Sequence, residues 1–221
     1  MSGTTTHHIA QQAGWAGLCV FVLGVAALAV SGTPPAPETT VQELTSYAHD
    51  NRYGVLLAAA LFQVALPFAF VFLAGLRRIA AGDDGSAEAL AAGGFASGVA
   101  LQIVALVGQL AFVATLWRGF TTPEQLTLAY DINMLGLYAL TSGLSFGSVV
   151  LTSLAIAQTR ALPLWPIALA AVVAAANIAE VLGLFQRTGF LALGAGPGLI
   201  AVPAWMLWMA AVSLTMLMRK A

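Results

Sequence analysis

The chain has 221 residues, 60% of them hydrophobic and 8% charged, with a formal net charge of −1. A soluble domain carries about 25% charged residues, so there is too little polar surface for a water-soluble globule. The near-neutral charge also offers no basic face for nucleic acid.

Polar residues gather between long apolar runs, the pattern of a polytopic membrane protein. A helix rises about 1.5 Å per residue, so about 20 apolar residues cross the hydrocarbon. Six segments qualify: 13–31, 53–76, 90–117, 132–158, 163–186 and 199–218. They must be helices, because backbone in lipid satisfies its own hydrogen bonds. The expected fold is therefore all-α, one six-helix transmembrane domain filling 1–221.

The first span holds the one cysteine, Cys19, so no intrachain disulfide forms, and the thiol reads as buried and inert. Ala27-Leu28-Ala29 resembles a signal cleavage site. Residues 1–12 carry no Lys or Arg, however, so the segment reads as a retained span.

After it comes a short helix over about 38–50, started by Pro37 and Glu38. Val41, Leu44, Tyr47 and Ala48 form its apolar face, which predicts a helix lying on the outer interface. In the second span Gln63 sits about 15 Å deep, and Pro67 predicts a kink. In the third, Gln102 and Gln109 are a heptad apart and share a stripe with Gly98 and Ala105.

Thr122, Pro123 and Gln125 read as N-cap, N1 and capping-box partner of a helix that runs into the fourth span. Glu43-Leu44-Thr45 is echoed by Gln125-Leu126-Thr127, each a few residues before a span. That hints that spans 1–2 and 3–4 are related hairpins, although chance explains so short a match better. Within the fourth span, Tyr138, Thr141, Ser145, Ser148 and Thr152 form one polar stripe.

The fifth span carries the only acid inside an apolar run, Glu180, with Asn177 on the same face and Arg187 a heptad beyond. An ionisable group at membrane depth is a candidate functional site by default. The outer loop LALGAGPGL is glycine-rich and reads as flexible or re-entrant. Trp205 and Trp208, in the sixth span, read as packing or belt residues.

Orientation follows Lys and Arg in short loops. Arg77, Arg78, Arg160, Arg219 and Lys220 share one side, against Arg52, Arg118 and Arg187 on the other. Both termini are therefore expected in the cytoplasm. Glu180, Asn177, Gln63, Gln109 and Asn133 then fall in the outer half, which predicts a polar, extracytoplasmic ligand pocket with Arg118 or Arg187 at its mouth. Glu180 is expected about 10 Å below the span end and Asn177 about 15 Å.

The bland alternative is packing. Ser, Thr and Gln commonly join transmembrane helices for about 0.6 kcal/mol each, and the spacings Gly94–Gly98 and Gly143–Gly147 permit close approach. No phosphate loop, H-E-x-x-H or C-x-x-C is present, and His7, His8 and His49 lie outside the spans. Haem, zinc and di-iron sites are not expected, nor is any other cofactor, nor enzymatic activity.

The segments NRYGVLLAAALFQVALPFAFVFLAGLRR, AAGGFASGVALQIV, LPLWPIALAAVV and PAWMLWMAAVSLTMLMRK resemble an uncharacterised family of bacterial six-span integral membrane proteins, a domain of unknown function of about this length. The resemblance covers most of the chain. It implies a multi-pass protein of the bacterial inner membrane and carries no agreed activity. Members often carry glutamates in spans two and three; here Gln63 and Gln102 stand at those positions, which removes charge from a shared site. The leading expectation is a protein that binds or transports a small molecule or lipid. A non-catalytic accessory subunit with a membrane-protein partner follows, then a homo-oligomeric channel.

Overall fold

The computed structural model describes residues 3–36, 38–120, 122–186 and 188–219; Pro37, Arg187 and Lys220 lie outside them. All regular structure among the described residues is helical: α1 (Gly3–Ser31), α2 (Val41–Asp50), α3 (Arg52–Ala80), α4 (Glu88–Arg118), α5 (Pro123–Met134), a π-helical turn (Leu135–Leu140), α6 (Thr141–Thr159), α7 (Pro166–Gly183) and α8 (Gly196–Leu217). Among these described residues, six helical stretches are long and apolar enough to cross a membrane, the fourth running from Pro123 through Thr159.

The spans pack in chain order, α1 on α3, α3 on α4, α4 on α6, α6 on α7 and α7 on α8. Helix α8 then returns to α1, so three hairpins close one ring. Small residues make the seams. Gly75 lies against Ala13 where α3 meets α1, and Gly17 against Ser213 where α1 meets α8. A Cβ on Gly108 would sit 2.7 Å from the Gly136 Cα, so α4 touches the π turn backbone to backbone. This is the close approach that small residues permit between membrane helices.

Two apolar clusters fill the ring. One includes Phe72, Leu76, Val149, Val173, Trp208 and Met216. The other, at the end that carries α2 and the loops before α5 and α8, includes Leu44, Phe112, Leu116, Leu126, Tyr130 and Met134. We call this the loop end.

Helix α2 begins three residues later than its sequence suggests. The Thr40 hydroxyl accepts from the Glu43 amide at 3.2 Å, and the Glu43 carboxylate accepts from the Thr40 amide at 2.9 Å. This capping box, rather than Glu38, sets the start. Nor does α2 only lie on the membrane interface, because Leu44 and Ala48 are buried in the second cluster. The Tyr47 hydroxyl donates to the Ser31 carbonyl at 2.9 Å, and Tyr130 donates to Pro35 at 2.5 Å, pinning the α1–α2 connection.

The echo between the first two hairpins extends well beyond three residues. Thr40/Thr122, Leu44/Leu126, Thr45/Thr127, Asn51/Asn133 and Gly54/Gly136 repeat at one constant separation. Their structural roles repeat as well. Thr122 caps α5 by accepting from the Gln125 amide at 3.4 Å. Thr45 and Thr127 each bond the carbonyl four residues back. Gly54 meets the Val30 carbonyl of α1 as Gly136 meets Gly108 of α4.

Helix α3 continues through Pro67, which membrane helices tolerate because other groups take up the freed carbonyl. One further expectation changes. Cys19 is exposed on the outer surface of α1, not buried, because its face of the helix meets no other span.

Candidate functional site

Between the two clusters lies a cavity of about 180 Å³, and all six spans contribute to its wall. The lining is mostly aliphatic and aromatic. The polar exceptions are Gln102 and Gln109 from α4, Tyr138, Thr141, Ser142 and Ser145 from the fourth span, Asn177 and Glu180 from α7, and Trp205 from α8. Leu28 and Phe62 line the cavity and are also exposed on the outside of the ring, so the wall there is one side chain thick.

The fourth-span stripe divides in two. Ser148 and Thr152 pack onto Gly98 and Gly94 of α4, so this lower part is helix-packing surface. The upper part faces the cavity. There the Thr141 hydroxyl donates to the Leu137 carbonyl and the Ser142 hydroxyl to Tyr138 at 2.5 Å. These bonds satisfy carbonyls of the π turn, whose wider winding departs from the regular ladder.

Glu180 is 1% exposed. Its Oε1 accepts from the Gly194 amide at 2.5 Å, while Oε2 is buried with no hydrogen-bond partner. The loop over 184–195 brings this donor. Gly194 has φ +73°, a backbone conformation that calls for glycine, and it lies against the end of the Met134 side chain and Tyr138. The loop is therefore built into the site, held by turns such as Gly196 N–H to the Phe190 carbonyl at 3.0 Å. On the next turn of α7, Asn177 Nδ2 donates to the Val173 carbonyl at 2.8 Å. That fixes the amide and leaves Oδ1 as its acceptor. No basic side chain lines the cavity or pairs with Glu180 among the described residues.

Of the expected site residues, the structure brings Glu180, Asn177 and Gln109 together. Gln63 points outward on α3, exposed between Phe62 and Val64. The inward face of α3 is taken by Ala58, Ala65, Ala69 and Phe72. Asn133 is buried with the loop-end cluster on the α5 side and does not reach the cavity. Arg118 is exposed and lines a separate groove of about 500 Å³ between α4 and α5, so it does not sit at the mouth. Arg187 lies outside the described residues. Because α7 ends at Gly183, three residues past Glu180, the carboxyl is only about 4.5 Å below the helix end, shallower than expected.

Trp205, expected as a packing or belt residue, lines the cavity with its indole Nε1 buried and without a partner. Trp208, three residues on, is the core residue. The signal available was faint: Trp205 has no polar neighbour in sequence. No protein-family model, curated protein or solved structure matches this chain.

Proposed function

We propose that this six-span protein holds a small molecule in the central cavity, in the extracytoplasmic half of a bacterial inner membrane, with both termini cytoplasmic. One observation carries the reading: a fully buried carboxyl group lines an apolar cavity and leaves one oxygen unpaired. Buried polar atoms without partners are uncommon and call for an explanation such as a bound group. The unpaired indole N–H of Trp205 in the same cavity supports it. A cavity of about 150 Å³ accepts benzene, so this one suits a compact molecule, or the end of a lipid chain, better than a whole lipid. Leu28 and Phe62, which line the cavity and are exposed on the outside of the ring, mark a route of entry from the bilayer. The orientation rests on the five-to-three distribution of Lys and Arg, and kinship with the six-span bacterial family on the segments quoted above.

Ala105 lines the cavity, and Ala105→Trp would fill it. Native mass spectrometry of wild-type protein released from mild detergent is expected to show a bound small molecule that this variant lacks. Wild type that carries nothing, and takes up no small aromatic probe, would remove the proposal.

The outward Gln63 favours a second reading, that of a subunit in a larger membrane assembly. A glutamine amide facing hydrocarbon gains by meeting another helix. In a Cys19→Ser background, Gln63→Cys should crosslink to a partner or a second copy. Labelling of that thiol by a lipid-soluble reagent in native membranes, with no crosslink, would argue for an isolated ring.

A further inference from the structure

We propose that the ligand is a small primary amine, bound as its ammonium, with a compact apolar body and an oxygen acceptor. The inference rests on the reading that the cavity binds a small molecule, and specifies the chemistry of that site.

The polar groups of the cavity are not balanced between donors and acceptors. Glu180 Oε2 has no partner, and Asn177 Oδ1 lies one turn away on the same face of α7. Two acceptors on one face, one of them a carboxyl group that a neighbouring cation would hold ionised, fit a donor-rich cation. A primary ammonium supplies three N–H groups and the charge that no described residue supplies. An anionic guest would meet the carboxyl group with no cation among the described residues to offset it. A neutral apolar guest would leave Oε2 orphaned in low dielectric, which is costly. The remaining wall, with Leu101, Leu106, Val202 and Met206, is apolar and suits a hydrocarbon body. Trp205 Nε1 is the unmet donor, which an oxygen on the same molecule would satisfy.

Three probes of nearly one shape separate these contributions: toluene, benzyl alcohol and benzylamine. Affinities are measured calorimetrically with detergent-purified, full-length protein. Benzylamine should bind about tenfold or more tighter than benzyl alcohol, the ratio expected of a charge-assisted hydrogen bond. In Glu180→Gln that preference should shrink to about threefold or less, while benzyl alcohol binding persists. Asn177→Leu should weaken benzylamine more than toluene. Benzyl alcohol and toluene binding as tightly as benzylamine to wild type would overturn the ammonium assignment and leave the cavity reading standing. Failure of all three probes to bind would overturn both. The wild-type comparison decides the matter even if the variants do not fold.

Discussion

Gly194 shows how much one residue outside the spans controls. Its left-handed backbone aims an N–H at Glu180, and any side chain there would meet Met134 and Tyr138. Gly194→Ala should therefore lower thermal stability in detergent by about 1–3 kcal/mol. It should also loosen the 184–195 loop, read as faster amide exchange at 189–196. Unchanged exchange would mean that the Gly194–Glu180 bond does not hold the loop. Asn177 and Glu180 were legible in sequence because their spacing puts them on one face of an otherwise apolar helix. The Gly194 bond was not, because its donor comes from a loop whose path depends on packing. Gln63 misled for a related reason. A single amide in an apolar span has no periodic neighbour to fix its direction, whereas Gln102 and Gln109 fix each other's.

At the scale of elements, glycine placement separates contact from exposure. Gly108→Ala forces a methyl against the Gly136 backbone, which cannot yield cheaply, and should cost about 1–3 kcal/mol. Gly143, equally central in its span, has nothing within 4 Å of a built Cβ. There Gly→Ala should stabilise the helix by about 0.5–1 kcal/mol. Opposite signs in thermal melts are the expected result. From sequence the two glycines look alike, since spacing reveals a small face but not whether a neighbour occupies it. The docking of α2 is tested by pH. Burial, with a smaller contribution from nearby Tyr138, pushes the Tyr47 phenol from its ordinary 10.0 up to about 12. The folded state thus favours the protonated phenol. Its contribution is complete below pH about 10 and is lost as pH rises towards about 12. Wild type should lose stability across that window, and Tyr47→Phe should lose less. Identical alkaline melting of the two proteins would show that Tyr47 is not the sensor.

Across the whole molecule, the six apolar runs and the helical class were plain from composition, because hydrocarbon permits one answer to the backbone's hydrogen bonding. Order around the ring was not plain, since it depends on which glycine meets which backbone. An even number of spans puts both ends of the chain on one side. Fusions of a cytoplasm-active fluorescent reporter to each end should both shine, and a periplasm-active phosphatase inserted after Asn51 should work; the reverse pattern would invert the proposed orientation. The first two hairpins carry a matching Thr-capped helix at the loop end, and the third substitutes the glycine-rich turn that reaches Glu180. Three equivalent walls would give a guest three equivalent headings. The acid belongs to the one hairpin that breaks the pattern, so the departure from threefold likeness is what gives the chamber a direction.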